Sequence, residues 1–458
     1  MEIAANLFIA GADRTHHDSL FEVINLEALA AYQPSWEKVP QSQKRAIFIK
    51  ASELLNTPKY ADRMKMCMAQ ETAATANWQG FSQISAHRYL LDIASQATQI
   101  KGETIESEKP DCRLFIVQRR AAGVVLGIAP WNAPVQLAIR AVGYALIAGN
   151  TVLVKASEYS PASQRIVMDL MLEAGLPPKA MSFLVFSRKS AADLTSRIIA
   201  RDEVRRVSFT GSHVVGRIIA GQCGQHSKQC ILELGGKAPV IVSKHALENL
   251  ESAAWGVVYG ALIHSGQVCM STERVLVQKD VYERFEQLVS QRVATIKTGD
   301  VTASAQMGAL FTPASAQNVV TQIQEAVQNG AKMFVGQTSK QAGGEYNTLV
   351  QPTVLGDVRQ DMTIWHKELF GPVIAMTPFG TMDEAIALAN DSKYSLSAGI
   401  WTTNLEEAMT YAPQIRAASV QAGLGGASGY GRFNIDAFTD LRTIAFHAQG
   451  ATFPTFAM

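Results

Sequence analysis

The chain is 458 residues long, with 47% hydrophobic and 18% charged residues, enough for two or three packed domains and unlike a disordered or fibrous protein. Its 41 Lys and Arg nearly cancel its 40 Asp and Glu, so there is no basic field to draw nucleic acid or an anionic membrane. No charged leader, no apolar run of spanning length, an odd five cysteines without CxxC spacing and nine histidines without an HExxH cluster lead us to expect a cytoplasmic protein with reduced thiols and no metal.

In chain order, Ala46, Ile47, Ile49 and Leu54 keep helical spacing through Ser42–Leu55, and a second amphipathic stretch runs from Tyr60 through Gln99. The N-terminal region is therefore read as mostly helical. Arg113–Gln118 and Gly123–Ala129 read as strands, the second a buried one that ends at Pro130. Helix Pro134–Leu146 and strand Thr151–Lys155 complete a βαβ unit, the mark of a parallel sheet.

The alternation continues through helix Pro161–Ala174, strand Met181–Phe186, helix Ala191–Ile199 and strand Val204–Phe209, where Thr210-Gly211-Ser212 opens another helix. Such a series predicts a doubly wound nucleotide-binding domain. After Glu233 a second series begins: strand Ala238–Val242, helix Leu247–Ile263, strand Arg274–Val277, helix Asp280–Thr295, then strand Val373–Phe379, helix Met382–Asn390 and strand Ser397–Thr402. Two α/β domains are the expected partition.

Several candidate sites sit at strand ends. Asn132, in Pro130-Trp131-Asn132, is either a donor to a developing oxyanion or a turn cap, and spacing alone favours the cap. Lys155 and Glu158 project from the end of a strand, either into a cofactor crevice, where the acid accepts ribose hydroxyls and repels a 2′-phosphate, or into a solvated turn. Gly211, Ser212 and Gly216 lie in a strand–turn–helix that does not match GxGxxG, yet its helix start offers N–H groups to a pyrophosphate. Cys269 follows Gly266, which leaves backbone room. The polar run Ser271–Arg274 after it suits a loop or a helix start, where a thiol is eased toward thiolate. Glu233 upstream supplies a base to such a nucleophile.

The segments Glu233-Leu234-Gly235-Gly236-Lys237 and Gly266-Gln267-Val268-Cys269 resemble the paired signatures of the aldehyde dehydrogenase superfamily. Pro130-Trp131-Asn132, Lys155-Ala156-Ser157-Glu158, Phe209-Thr210-Gly211-Ser212 through Gly216, and Glu368-Leu369-Phe370-Gly371-Pro372-Val373 bring the set to six motifs in the family's order. The resemblance implies NAD(P)-dependent oxidation of an aldehyde to the acid through a cysteine thiohemiacetal and thioester. Within it, Cys269 is the nucleophile, Asn132 the oxyanion donor and Glu233 the base that activates water. Trp131, Lys155, Glu158, Gly211, Ser212, Gly216, Glu368 and Phe370 match cofactor-binding positions, with NAD favoured over NADP.

The family's fold implies a nucleotide-binding domain of residues 1–102 and 118–235 and a catalytic domain of residues 236–424. Residues 103–117 and 440–458 would be oligomerisation elements, residues 425–439 would return to the first domain, and the C-terminal Asp440–Phe446 would pair with the hairpin near Lys101–Gln118 in a homodimer or homotetramer. In motifs the chain most resembles the salicylaldehyde and vanillin dehydrogenase branch, which suggests an aromatic aldehyde, with Trp78 stacking on a ring and Arg140 meeting a ring hydroxyl. The competing reading makes Trp78 core and Arg140 a surface helix residue.

The chain departs from the family around Asn25–Tyr32, in the Glu233–Cys269 interval, around Ser419–Ser428 and at Phe433–Asp436, all places where the family carries a different length of chain. These departures keep two alternatives open. One is the same chemistry on an aliphatic aldehyde or semialdehyde; the other is a catalytically impaired homologue kept for cofactor binding or assembly.

Overall fold

The computed structural model describes residues 7–9, 12–14, 26–106, 114–117, 119–302, 304–339, 348–422 and 443–446. Cys112, the stretch 423–439 and Asp440–Arg442, on which some of the sequence expectations fall, lie outside the described residues. Two compact units emerge, one containing the described residues up to Thr72 and Gln79–Glu233, the other Ala73–Trp78 and the described residues from Leu234 onward. The division falls after Glu233, the last residue paired into the first unit's sheet.

In chain order the first unit holds β1 (Leu7–Ile9), β2 (Ala12–Arg14), α1 (Leu26–Glu37), α2 (Gln41–Leu55), α3 (Pro58–Thr72), most of α4 (Ala76–Ser95) and the antiparallel pair β3 (Glu103–Glu106) and β4 (Leu114–Val117). Then come β5 (Val124–Ile128), α5 (Pro134–Ile147), β6 (Thr151–Lys155), α6 (Pro161–Glu173), β7 (Met181–Leu184), α7 (Ala191–Ala200), β8 (Val204–Thr210), α8 (His213–Gln225) and β9 (Gln229–Glu233). The family departure near Asn25 leaves α1 anchored. Trp36 Nε1 donates to the Leu146 carbonyl at 3.0 Å, and Thr151 Oγ1 donates to the Leu29 carbonyl at 3.0 Å.

The seven strands of the main sheet run in the order β2-β1-β7-β6-β5-β8-β9. From β5 the chain winds through β6 to β7 on one side, then crosses to β8 and β9 on the other, all in parallel pairs. The winding thus reverses between β5 and β8, the place where doubly wound sheets open a crevice at their carboxyl ends. Strands β5, β6 and β7 are buried at every position, which is why they read as continuous apolar runs.

The second unit continues with β10 (Ala238–Val242), α9 (Leu250–Leu262), β11 (Thr272–Gln278), α10 (Tyr282–Ala294), α11 (Pro313–Gln328), β12 (Lys332–Val335), β13 (Thr353–Gly356), α12 (Thr363–His366) and β14 (Val373–Phe379). It ends with α13 (Met382–Asn390), β15 (Ser397–Trp401), α14 (Leu405–Tyr411), β16 (Ser419–Ala422) and β17 (Thr443–Phe446). Its eight-stranded sheet has the order β12-β13-β14-β11-β10-β15-β16-β17. The fold class is α/β, as expected.

Within the chain, Thr443–Phe446 runs parallel to β16, with Ser419 opposite Thr443 and Ala422 opposite Phe446. Without a neighbour β16 would be an edge with unpaired N–H and C=O groups, and the short Thr-Ile-Ala-Phe run satisfies them within the same chain.

Candidate active site

The first unit gathers its motif residues at the carboxyl ends of the parallel strands. Register fixes their level: Ile128 of β5 lies opposite both Lys155 of β6 and Phe209 of β8, and Thr210 lies opposite Glu233 of β9. Asn132 follows β5 directly and is only 4% exposed. Gln164 ties the neighbouring loops together, donating through Nε2 to the Pro130 carbonyl at 2.7 Å and accepting from the Ser157 N–H at 2.7 Å. Sequence reading missed Gln164. As one residue of an amphipathic helix it carries no motif, and its complete burial is visible only in three dimensions.

Lys155 and Glu158 form an ion pair at 3.1 Å, leaving Glu158 oxygens partly exposed just past the strand. Ser212 caps α8 by accepting from the Val215 N–H at 3.4 Å, so the turn after β8 ends in an open helix start. The Gly211 N–H donates to the Glu233 carbonyl at 3.0 Å, fixing the end of β9 against that turn. An acid and a capped helix start at the carboxyl ends of a doubly wound sheet are chemistry that fits a dinucleotide.

Arg140, two turns into α5, ion-pairs with Glu233. Their side chains are 13% and 24% exposed, and both line a recess of about 110 Å³ with Tyr144, Ser208 and Thr210. The guanidinium thus addresses the candidate base itself.

The second unit assembles its three motifs by close backbone approach. A Cβ on Gly236 would stand 2.0 Å from the Cys269 carbonyl oxygen, and one on Gly235 would stand 2.3 Å from a Glu368 carboxylate oxygen. Gly236 is therefore required by contact with backbone, whereas Gly235 lies against a side chain that can move. Gly266, at φ +72°, would meet the Gly371 carbonyl in the same way.

The approach to Cys269 is a left-handed turn. His264 (φ 50°), Ser265 (φ 58°) and Gly266 stand in the αL region in succession, a conformation that costs non-glycine residues about 1–3 kcal/mol each. Hydrogen bonds hold it: Ser265 Oγ donates to the Gly308 carbonyl at 2.8 Å, Gln267 Nε2 to the His264 carbonyl at 3.2 Å, and Ser271 Oγ to the Gly266 carbonyl at 3.2 Å. Trp78 stacks on His264 with ring centroids 5.1 Å apart and an interplanar angle of 9°. Burial holds the imidazole far below its usual range, at about 3, so it packs as a neutral ring. Trp78 is 2% exposed, and this face of its indole is taken by His264. Cys269 itself is partly exposed.

The segment after Cys269 differs from expectation. Thr272, Glu273 and Arg274 open neither a loop nor a helix but β11, buried at every position. The charges are tolerated because each is satisfied. Glu273 accepts from Lys237 Nζ at 2.7 Å, from the Leu369 N–H at 2.9 Å and from the Phe370 N–H at 3.0 Å. Arg274 donates to the Lys237, Leu388 and Ala389 carbonyls and lies 5.0 Å from the Trp365 ring centroid. Glu368 accepts from the Gly236 N–H at 2.8 Å, and burial together with the nearby Glu273 charge pushes its carboxyl up to about 7. Phe370, at φ 51°, is partly exposed beside it.

Residues 19–428 match the family model described as the aldehyde dehydrogenase family. The chain is 34% identical over 441 residues to a salicylaldehyde dehydrogenase of Pseudomonas sp. (strain C18), covering 92% of this chain and 89% of that protein. The chain belongs to the aldehyde dehydrogenase family. It is also 36% identical over 450 residues to a vanillin dehydrogenase of Pseudomonas sp. (strain HR199 / DSM 7063), covering 93% and 90%. The crystal structure of a salicylaldehyde dehydrogenase from Pseudomonas putida G7 complexed with salicylaldehyde superposes with a TM-score of 0.88 at 30% identity, covering 98% of this chain and 99% of that one.

This aldehyde dehydrogenase is an NAD(P)-dependent oxidoreductase, and its sequence motifs fall at strand ends and turns of the two units. Among the described residues no group of three or more His, Cys, Asp or Glu side chains gathers as a metal site, and no helix is long and apolar enough to cross a membrane.

Proposed function

We propose that this aldehyde dehydrogenase oxidises aromatic aldehydes of the hydroxybenzaldehyde type to carboxylic acids, using Cys269 as nucleophile and preferring NAD to NADP. The observation that carries the mechanism is Glu233: a partly exposed carboxylate, ion-paired to Arg140 and fixed at the end of β9 by the Gly211 N–H, is suited to take a proton from water. The kinship with salicylaldehyde and vanillin dehydrogenases supports the aromatic substrate.

In this reading the Cys269 sulfur bonds to the aldehyde carbon while the Asn132 amide and the Cys269 N–H donate to the oxygen. Lys155, Glu158, the Gly211-Ser212 turn with Gly216, Trp131, Glu368 and Phe370 would hold NAD, which would supply the hydride acceptor when bound. Departure of hydride from the carbon and of the proton from the oxygen of the thiohemiacetal would leave a thioester on Cys269. Glu233 then removes a proton from water, whose oxygen attacks the acyl carbon, and the acid departs as the thiol is restored. The Lys155–Glu158 pair supports NAD, because its carboxylate accepts ribose hydroxyls and repels a 2′-phosphate. Val214, Val215 and Ile218, exposed on α8 at 58%, 44% and 55%, support a homodimer or homotetramer, and a cytoplasmic setting completes the proposal.

The Arg140 guanidinium also invites an acidic semialdehyde, but such a substrate would have to displace Glu233 from it. The test is NADH formation by purified protein with hydroxybenzaldehydes, short aliphatic aldehydes and a semialdehyde, with NAD or NADP, against Cys269→Ala. Hydroxybenzaldehydes with NAD should give the highest kcat/KM and Cys269→Ala none. Turnover by Cys269→Ser at the native rate would rule out the thioester route, and NADH binding without turnover of any aldehyde would favour a cofactor-binding homologue.

A further inference from the structure

We propose that Glu273 is a positioning residue for the cofactor end of the site, clamping the Glu368–Phe370 segment to the loop after Glu233. Three observations, all within the second unit, carry the proposal. First, Glu273 is 2% exposed yet ionisable, and its oxygens are taken by one cation and two backbone N–H groups, those of Leu369 and Phe370. A buried carboxylate persists only when so satisfied, and each charge-assisted bond is stronger than a neutral one.

Second, the cation is Lys237, fully buried and the last residue of the segment whose Gly236 N–H donates to Glu368 at 2.8 Å. The loop and the Glu368 segment are therefore joined twice, once through Glu273 and once through Glu368. Third, Phe370 is held at φ 51°, a backbone conformation that a phenylalanine keeps only under constraint. The Phe370 N–H bond to Glu273 at 3.0 Å supplies such a constraint.

Glu273 touches no reacting atom in this arrangement. It acts on Glu368, whose aim depends on where Leu369 and Phe370 are pinned, and its negative charge is one cause of the raised Glu368 carboxyl. The charged groups around Glu368 are Glu273 and Lys237, with Arg274 next along β11. The proposal rests on the reading that Glu368 holds the nicotinamide ribose.

NADH fluorescence titration from pH 5.5 to 9 on native protein, Glu273→Gln and Glu368→Gln separates the clamp from the ribose reading. If Glu368 accepts from ribose hydroxyls as a carboxylate, native binding strengthens as pH rises through about 7. In Glu273→Gln the midpoint moves to lower pH while affinity at pH 9 falls about tenfold, the equivalent of one lost charge-assisted bond. The midpoint reads the Glu273 charge, and the fall in affinity at pH 9, where Glu368 is ionised in both proteins, reads the clamp. Where Glu273→Gln leaves Lys237 uncompensated and the protein unfolds, Lys237→Met/Glu273→Gln removes both charges and reads the same quantities. In native protein without NADH, hydrogen exchange at the Leu369 and Phe370 amides should be slow. Fast exchange there, or a folded Glu273 variant with native affinity and native midpoint, overturns the proposal. Unchanged, pH-independent NADH affinity in Glu368→Gln together with a pH-independent native protein would instead overturn the ribose reading, leaving the exchange result to decide the clamp.

Discussion

Arg140 and Glu233 are ion-paired, joining the second turn of α5 to the last residue of β9. The pair stands in a half-buried recess, where removing one partner leaves the other charge poorly compensated. If Glu233 is the base proposed above, Arg140→Leu should act on the step that uses it. Stopped-flow traces with NAD and benzaldehyde should keep a burst of NADH near the native rate, while the steady-state rate falls about 10- to 100-fold, the size of effect expected from misplacing one general base. Arg140→Lys should recover part of the loss. A burst lost together with the steady state would place Arg140 at substrate capture instead, and a loss confined to hydroxylated rings would restore the ring-hydroxyl role.

The two glycines ahead of Lys237 should respond differently to alanine. At Gly236 the obstacle is the Cys269 carbonyl, 2.0 Å from the added carbon, and backbone cannot swing aside. Gly236→Ala must displace the peptide of Cys269, the proposed nucleophile, so kcat should drop at least 100-fold, since a shift of about 1 Å at a reacting group costs that much. At Gly235 the obstacle is the Glu368 carboxylate, the end of a flexible side chain. Gly235→Ala should mainly raise the KM for NAD, with kcat within about tenfold of native. Equal effects at both positions would contradict the contact argument.

Much of this architecture is legible in the sequence, because β5, β6 and β7 are apolar throughout and the helices between them are periodic. Each feature that escapes has a physical cause. Strand β9 carries Gln229 and Cys230 at a half-exposed sheet edge, so it shows neither a continuous apolar run nor clean alternation. Strand β11 opens with Thr272, Glu273 and Arg274, which look like solvent-facing residues until Lys237 and a row of carbonyls are found against them. Burial of charge depends on partners distant in sequence, and local pattern is silent about them. Cys269 and Glu233 stand out through their neighbours, whereas Gln164 and Glu273 stand out only through the groups they hold.

Trp78 offers a test of two roles. Stacked on His264, it braces the left-handed turn that leads to Cys269, and a bracing role is blind to the substrate. Trp78→Ala should lower kcat/KM by a similar factor for benzaldehyde and for a short aliphatic aldehyde. It should also slow alkylation of Cys269 by iodoacetamide in the absence of any aldehyde. A loss confined to aromatic substrates, with native alkylation, would show that the indole meets the ring instead.

Glu368 makes stability depend on pH in a definite direction. Its carboxyl is raised in the folded protein from 4.5 to about 7, chiefly by burial and then by the Glu273 charge. Between those values the folded state holds a proton that the unfolded chain has released, so stability falls as pH climbs from about 4.5 to about 7 and levels off above. Glu368→Gln has no such proton and escapes the decline. Its advantage over native protein should be small at pH 5 and complete at pH 8, on the order of 2 kcal/mol once partial exposure of the side chain is discounted. In a protein of this size that corresponds to roughly 1–3 °C in Tm, measured by differential scanning fluorimetry without cofactor. A Tm difference that stays constant from pH 5 to pH 8 would mean that Glu368 is already ionised at pH 5, and that the Gly236 N–H and Lys237 outweigh its burial.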